Sequence, residues 1–246
     1  MGANADAATE QDRVELLPPP HAVTLNFGQQ WNVVTPSVFR YEDKQWIDLF
    51  FETGALRLST FNKFASYPDE FRGDRHGHEG FGVCYGETPE NKSIVVAQRQ
   101  GINALVFCCW HRLDSQLIKG FQRDSVFQIM NTVHFALEVS RQIAGFRHGL
   151  EGNCIYRDKL AINRKIDFEL EKYKSPDGNI DMRAFMDAGQ ALGGPELVLL
   201  KTKQYQSQLE YRLLWEVDVT SGDYVDVIVP NARQYCRRVK DTEYTP

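Results

Sequence analysis

The amino-acid sequence predicts an α+β domain in which short strands are interrupted by helices. Residues 209–219 alternate as a strand with one buried face does, because the odd positions are apolar and the even positions are mostly polar. Residues 104–110 are apolar throughout, which is typical of a central strand. Apolar residues at the helical period from Ser125 to Ala144, followed by Gly145, predict the longest helix.

The first half of the chain contains two predicted strands separated by a helix. The first strand is expected after Pro36, over residues 37–41, and the second over residues 55–61. The stretch EDKQWIDLFFETG between them has an acidic start and a glycine at its end, which predict a short helix. A long polar loop is expected over residues 62–82. SIVVAQ and NALVFCCW are then predicted to pair as a hairpin around RQGI.

The second half adds shorter elements. NCIYRD predicts a short strand, residues 159–173 and 179–192 predict helices, and DYVDVIV predicts the last strand. Together the patterns indicate about six to eight short strands in one domain. We expect this domain to span residues 23–246, after a disordered, proline-rich tail over residues 1–22.

Composition limits the class of protein. Of the 246 residues, 42% are hydrophobic and 12% aromatic, which is enough to form a core. The formal charge of -5 argues against a protein that coats nucleic acid in bulk, since such domains are usually basic. A local basic groove remains compatible with this charge.

Cysteine usage and hydropathy predict a cytoplasmic protein with no membrane partner. The five cysteines form no CxxC pair, which argues against a disulfide framework or a zinc site. Cys108 and Cys109 lie inside an apolar run and are expected to be small buried hydrophobes. No apolar run approaches the roughly 18 residues that span a membrane. The first residues lack the hydrophobic core of a signal peptide.

The polar face of the 209–219 strand has two open interpretations. Gln208, Glu210 and Arg212 are two residues apart, so on a strand they point the same way. They could form an ordinary solvent-facing surface with a Glu–Arg pair, which contributes only ~0–1 kcal/mol when exposed. Alternatively the carboxylate could stabilise positive charge that develops when a glycosidic bond breaks.

The densest polar cluster is the loop over residues 69–80. Its side chains Asp74, His76, His78 and Glu79 could bind a metal, but no further Cys or His spacing completes a zinc signature. A solvated loop is the simpler interpretation, and an anion site around Arg72 is a third, because a guanidinium pairs well with phosphate.

Polar residues also lie at the ends of the first two predicted strands. Arg40 could be an ordinary surface arginine or a ligand-facing group at a strand end. Ser59 and Thr60 could bond a ribose or cap the following turn. The sequence contains no Walker loop, GxGxxG, GxSxG or HExxH motif.

The order of these motifs resembles a known family. A strand ending in Arg40, a helix, FFETGALRLSTFNKF and a loop with Arg72 resemble the opening of the DarT-like branch of ADP-ribosyltransferases. QSQLEYRLLW resembles the strand that carries the catalytic glutamate of that family, with Gln208 two residues before Glu210. The same order is similar to mRNA-modifying ADP-ribosyltransferase toxins of bacterial phage-defence toxin–antitoxin–chaperone systems. The resemblance extends over residues 37–219.

The resemblance implies a fold, an activity and a set of site residues. The fold would be the ADP-ribosyltransferase-like split sheet, mixed or antiparallel, with interrupting helices. The activity would be transfer of ADP-ribose from NAD to nucleic acid, with RNA favoured, and an antitoxin protein would be a further partner. Glu210 would bind the ribose and stabilise the transition state, with Arg72 and Gln208 as its catalytic companions. The residues implied in NAD binding are Arg40, Tyr41, Arg57, Ser59 and Thr60.

Two alternatives of other classes remain open at this point. A metal-dependent nuclease could use Glu210 together with the acidic and histidine side chains of the 69–80 loop. A non-catalytic interaction module could keep the same scaffold, because a fold alone does not establish an activity.

Overall fold

The structure is a computed structural model that describes residues 21–24, 30–33, 36–66, 81–87, 93–99, 101–165, 170–185, 195–220 and 222–243. Statements about structure below concern this part of the chain. The 69–80 loop with Arg72, Asp74, His76, His78 and Glu79 lies outside it.

The described residues form an α+β structure with a mainly antiparallel main sheet, as predicted. The strands are β1 (His21–Thr24), β2 (Gln30–Val33), β3 (Val38–Glu42), β4 (Ala55–Thr60), β5 (Phe81–Glu87), β6 (Ser93–Arg99), β7 (Ala104–Trp110), β8 (Ser125–Ile129), β9 (Phe146–Asn153), β10 (Ile155–Arg157), β11 (Ala161–Lys165), β12 (Leu200–Thr202), β13 (Glu210–Val217), β14 (Tyr224–Ile228) and β15 (Cys236–Arg238). The α-helices are α1 (Lys44–Thr53), α2 (Phe61–Ala65), α3 (Ser115–Gly120) and α4 (Thr132–Ser140). Short 3-10 helices cover Leu170–Tyr173, Pro195–Leu199, Lys203–Gln208, Pro230–Tyr235 and Asp241–Glu243.

Eight strands form the main sheet, and β7 and β13 lie at its centre. The path runs β14-β4-β7-β3-β8-β15, while β13 pairs with β7 on one side and β9 on the other. Every side chain of β7 is buried, which confirms the prediction of a central strand. β13 is antiparallel to both neighbours and is registered with β7 from Glu210 to Glu216. β13 is therefore held by neighbours along both edges.

The sheet splits along β7. Because β13 covers one edge of this strand along its length, β3 and β4 must share the other edge. β4 meets β7 at Val106 and Leu105, whereas β3 meets it at Trp110. The two strands thus part beside residues 107–109 and leave a gap in the sheet.

The two faces of the sheet carry separate cores. The first face packs against α1, α4 and the 3-10 helix Pro230–Tyr235, and it buries the odd-numbered side chains of β13: Tyr211, Leu213, Trp215 and Val217. This confirms the apolar face predicted from the alternation. The second face buries another cluster, which includes Tyr41, Phe61, Trp110, Val198 and Leu214.

Helix α1 and its termination follow the prediction closely. Asp43 precedes the helix in an extended conformation, and Gly54 ends it in the left-handed region with φ 84°. A Cβ atom on Gly54 would lie 2.5 Å from the Pro230 nitrogen, so glycine is required here for both conformation and space. Strands β3, β4, β10 and β14 also lie where the sequence predicts strands.

The predicted helix over residues 125–144 is wrong in its first part. Residues 125–129 form β8, which pairs with β3 and β15, and α4 begins at Thr132. The boundary is set by Asn131, whose side-chain oxygen accepts a hydrogen bond from the His134 backbone N–H. A short apolar run fits either period, so the neighbouring strands decide the outcome here.

Other predicted elements also need correction. The hairpin between SIVVAQ and NALVFCCW does not form: β6 pairs with β5, and β7 pairs with β3, β4 and β13. Residues 161–165, expected to be helical, form β11 parallel to β5. The predicted loop over residues 62–82 contains most of α2, whose Phe61 and Phe64 pack on the second core. Of the predicted helix 179–192, residues 182–185 are helical, and 186–192 lie outside the described part.

The predicted count of six to eight strands was too low. The described residues contain fifteen strands, many of only three to five residues. β1 begins at His21, inside the last two residues of the predicted tail, and residues 1–20 lie outside the described part. Cys108 and Cys109 are buried, as predicted. None of the helices in the described ranges has the length and apolar character needed to cross a bilayer.

Candidate active site

Glu210 begins strand β13 and has a fixed backbone. Its N–H donates to the Tyr156 hydroxyl at 2.8 Å, and its carbonyl accepts from the Cys154 N–H at 2.9 Å. The preceding Leu209 lies in the left-handed region with φ 50°, which is costly for a residue with a side chain. The chain therefore turns sharply into the strand at the residue that presents the carboxylate.

The carboxylate of Glu210 is buried among cations. The residue is 3% exposed, and Arg212, which is 0% exposed, donates from Nε to Oε1 at 2.6 Å. Lys201 on β12 donates from Nζ to Oε2. Arg212 also donates from Nη1 to the Val198 carbonyl at 2.9 Å. We call Glu210, Arg212, Lys201 and Gln208 the Glu210 cluster.

This arrangement keeps Glu210 ionised. Burial by itself raises the pKa of a carboxyl group, but the charges and hydrogen bonds of Arg212 and Lys201 outweigh it, and the pKa lies well below its ordinary value. The Glu210 carboxylate is thus ionised at neutral pH, and Lys201 and Arg212 compensate its charge.

The structure corrects two expectations about this face of β13. Glu210 and Arg212 are buried, so the face is not a solvent-exposed surface. Gln208 lies on the 3-10 helix Lys203–Gln208 and not on the strand, because the turn at Leu209 comes between them. Its Oε1 nevertheless accepts from Lys201 Nζ at 3.2 Å, which places it beside the carboxylate.

A cleft of about 360 Å³ lies where β3 and β4 part. Helix α1 and strand β14 complete its walls. Three predicted NAD-binding residues, Arg40, Arg57 and Ser59, line it. Its volume is at the lower end of the roughly 300–1,000 Å³ that ligand pockets usually enclose.

Arg40 lies at the inner end of the cleft. Its Nη1 donates at 2.9 Å to the Cys108 carbonyl, which lies beside the gap between β3 and β4. Its Nη2 donates to Glu42 at 2.8 Å. Its guanidinium lies over the Phe107 ring, with Cζ 4.5 Å from the ring centre. Arg123 pairs with the other oxygen of Glu42 at 3.0 Å. Arg40 therefore serves at least one structural purpose, which is to satisfy the carbonyl at the split.

Arg57, Trp46 and Tyr224 form the outer rim of the cleft. Arg57 donates from Nε and Nη2 to the two oxygens of Asp226 at 2.7 and 2.8 Å. Its Cζ lies 3.9 Å from the Tyr224 ring centre and 5.7 Å from that of Trp46. The guanidinium of Arg57 thus lies against the Tyr224 ring, and the Trp46 ring lies farther from it on the same rim.

Tyr41 and Thr60, the other predicted NAD-binding residues, are buried in structural contacts. The Tyr41 hydroxyl donates to the Arg112 carbonyl and accepts from the Asp114 N–H at 2.9 Å, and burial raises its pKa. The Thr60 hydroxyl faces the carbonyls of Gly222 and Asp223. Neither residue lines the cleft.

Strand register shows how the cleft and the Glu210 cluster are related. Glu210 is paired with Trp110, which is paired with Phe39, so these three side chains share the second face. Ser59 is paired with Val106, which is paired with Leu214, so Ser59 lies on the second face too. Arg40 follows Phe39 and therefore points to the first face. The structure thus brings Ser59 and Glu210 to one face and Arg40 to the other.

Several residues of these sites were not predicted from the sequence. Lys201 is isolated in a stretch with no motif, and only the fold brings it to Glu210. Trp46 and Tyr224 were assigned to a helix and a strand, and their exposure has no sequence signal. Glu42, in contrast, stands two residues after Arg40, the spacing that puts both on one face of a strand.

Comparison with known proteins gives no match: no family model, no curated protein and no solved structure is similar to the chain. Within the described ranges, no group of three or more acidic, histidine or cysteine side chains is placed to hold a metal ion. The candidate metal ligands of the 69–80 loop and Arg72 lie outside these ranges.

Proposed function

We propose that the chain is an NAD-dependent ADP-ribosyltransferase that modifies nucleic acid, with RNA as the favoured acceptor. The observation that supports this is the Glu210 carboxylate, which is buried, ionised and fixed at the start of a central strand. Transfer from NAD develops positive charge on the ribose as nicotinamide departs, and a fixed negative charge stabilises that state.

The cations around Glu210 support this role. Lys201 Nζ contacts Oε2 and marks the place where the carboxylate already compensates a positive charge. In the proposed reaction the ribose replaces Lys201 at Oε2, while Arg212 keeps Oε1 in place. Arg212 is then a positioning residue. Gln208 lies close enough to orient the acceptor, and Arg72 is proposed to assist from the loop.

The reaction is a displacement at the ribose C1′ atom. The bond between C1′ and the nicotinamide nitrogen breaks, and its electron pair leaves with nicotinamide. A lone pair of the acceptor forms the new bond to C1′, and the acceptor loses a proton to solvent or to a nearby base. The protein mainly binds, orients and stabilises charge, and no metal is required for these steps.

The split in the sheet supports an ADP-ribosyltransferase-like fold as part of this proposal. Ser59 shares the face of Glu210 and borders the cleft, and Arg40 lies at its inner end. We propose that these two residues contact the remainder of NAD. The buried contacts of Tyr41 and Thr60 instead give them structural roles.

The test incubates labelled NAD with RNA, DNA and protein in parallel and compares wild type with Glu210→Gln. Loss of an electrostatic group aimed at the transition state typically costs on the order of 100-fold or more in rate. The matched control is Glu216→Gln, a carboxylate on the same strand that is exposed and contacts His148. We expect transfer to RNA by wild type and Glu216→Gln, and its loss in Glu210→Gln.

Glu210→Asp separates catalysis from folding. It keeps the charge beside Arg212 and Lys201 but withdraws the carboxylate by one methylene, so it should fold where Glu210→Gln does not. Equal transfer by wild type and a folded Glu210 variant would contradict the proposal, as would absence of NAD consumption by folded wild type.

The resemblance to defence toxins extends the proposal to the cell. Expression of wild type is expected to arrest bacterial growth, and Glu210→Gln is expected to relieve the arrest. An antitoxin protein would restore growth with wild type. Growth arrest of equal strength by both forms would show that the toxicity does not depend on the proposed chemistry.

A further inference from the structure

We infer that the outer rim of the cleft, formed by Trp46, Arg57 and Tyr224, binds an unpaired base of a single-stranded nucleic acid. This rests on the proposed function for the identity of the acceptor, although the binding itself needs no NAD. It assigns Arg57 to the acceptor and not to NAD.

The two aromatic side chains of the rim are unusually open. Trp46 and Tyr224 are each 46% exposed, and both line the same cleft. Large aromatic rings contribute most when their faces are covered, so two open rings at the mouth of one cavity leave stacking surfaces available. Proteins that bind single strands use such rings as platforms for successive bases.

Arg57 makes the rim flat and rigid. The two bonds to Asp226 fix the plane of its guanidinium, and the Tyr224 ring supports that group at 3.9 Å. Guanidinium planes and aromatic rings are both surfaces on which unstacked bases lie in protein–RNA complexes. Arg57 and Tyr224 therefore already lie against each other in the free protein.

The charges of the cleft favour a base over a run of phosphates. Arg40 pairs with Glu42, Arg123 with both Glu42 and Asp43, and Arg57 with Asp226. Lys63 lies 3.3 Å from Asp223. Because each cation has a carboxylate partner, the cleft presents little net positive charge to a polyanion. Affinity should come from stacking, and it should depend weakly on salt.

The size of the cleft limits the ligand. A volume of about 360 Å³ is too small for a duplex, which can reach the rim only by releasing a base. The site should therefore distinguish single strands from duplexes of the same sequence.

The test measures binding of the full chain to a fluorescent RNA of about 12 nucleotides, within the site sizes of single-strand binding proteins, without NAD. The same strand in a duplex is the comparison ligand. Trp46→Leu and Tyr224→Leu remove the rings, and Phe146→Leu is the matched control, since Phe146 is an exposed aromatic on β9 that does not line the cleft.

We expect wild type to bind the single strand at least about tenfold more tightly than the duplex. Each rim variant should weaken that binding about tenfold, because stacking on one aromatic ring accounts for a factor of this order. Phe146→Leu should bind as wild type does. The salt dependence should correspond to about one or two phosphate contacts, at a slope of about −0.7 per contact for single strands.

Four outcomes would overturn the inference: no binding by wild type, equal binding of duplex, rim variants that bind as wild type does, or an equal loss in Phe146→Leu. Thermal unfolding of each variant shows whether a loss comes from misfolding, and Tyr224→Phe, which keeps the ring, must then bind like wild type. Binding as expected without ADP-ribosyl transfer would contradict the proposed function alone. Transfer to RNA with an unchanged KM in Trp46→Leu would contradict this inference alone.

Discussion

Replacing Arg212 with methionine is expected to destabilise the fold strongly. Methionine fills much of the space of the arginine stem, so the change is mainly electrostatic. It removes the 2.6 Å bond to Glu210 and the 2.9 Å bond to the Val198 carbonyl. Arg212 is 0% exposed, so water does not replace these bonds.

The magnitude follows from burial. Removing one partner of a buried ion pair typically costs about 3–5 kcal/mol, because the other charge is left without compensation. Lys201 remains bonded to Glu210 and offsets part of this, whereas the unpaired Val198 carbonyl adds about 1–3 kcal/mol. We therefore expect a loss of about 3–5 kcal/mol in the free energy of unfolding.

The assay is urea unfolding at pH 7, with Arg147→Met as the matched control. Arg147 pairs with Asp218 at 2.5 Å, but both side chains are about 60% exposed, so the control should lose at most about 1 kcal/mol. Glu210→Gln/Arg212→Met should recover part of the loss of Arg212→Met, because the carboxylate no longer needs a partner. A loss in Arg212→Met no larger than in Arg147→Met would refute the reasoning.

Acid titration of stability tests the same cluster. The pKa of Glu210 is lowered in the folded state, while a glutamate in the unfolded chain titrates near about 4.3. The cluster therefore stabilises the protein above that pH, and the stabilisation is lost as pH falls toward the folded pKa. The range from about pH 5 to pH 3 includes the pKa of an unfolded glutamate. Over this range the free energy of unfolding should fall less steeply in Arg212→Met than in wild type.

Two further predictions concern other parts of the fold. Burial raises the pKa of Glu151, so its ionisation opposes folding as pH rises. Glu151→Gln should therefore raise the Tm at pH 8 and have little effect at pH 4, as measured by thermal unfolding. Gly54→Ala should lower the free energy of unfolding in urea by at least about 2 kcal/mol, since it combines a left-handed φ with a clash at Pro230. The control Gly178→Ala, with a similar φ but open space around it, should lower it by about 1 kcal/mol. Equal losses in the two variants would show that the clash is relieved.

The elements that the sequence predicted well are those in which local signals and tertiary packing agree. The apolar odd positions of β13 pack in the first core, and the wholly apolar β7 lies at the centre of the sheet. Helix α1 ends at Gly54, where a left-handed residue is required. In each case a pattern of a few residues specifies both the element and its environment.

The errors occur where a distant partner decides the structure. Residues 125–129 fit a helical period, but β3 and β15 recruit them into the sheet, and Asn131 is the one local signal that marks the true helix start. SIVVAQ is separated from NALVFCCW by a short link, yet β6 pairs with β5. Proximity along the chain predicts hairpins only when no other strand competes.

The candidate site could be predicted only in part. Glu210 was proposed from its strand and motif order, Ser59 from the end of its strand, and Arg57 from the family resemblance alone. The burial of Glu210 depends on Val198 and Lys201, which approach from a segment without regular alternation. Gln208 lies outside the predicted strand because Leu209 is in the left-handed region. This conformation is rare for leucine, so the sequence does not predict it.

The split beside residues 107–109 divides the strands along one edge of β7 into two groups, which we call wings. One wing holds β4 and β14, and the other holds β3, β8 and β15. Arg40 on β3 connects the second wing to β7 through the Cys108 carbonyl. A group bound in the cleft would contact both wings, because residues of β3, β4 and β14 line it. The cleft and the strand that carries Glu210 thus have β7 as their common neighbour, one at each of its edges.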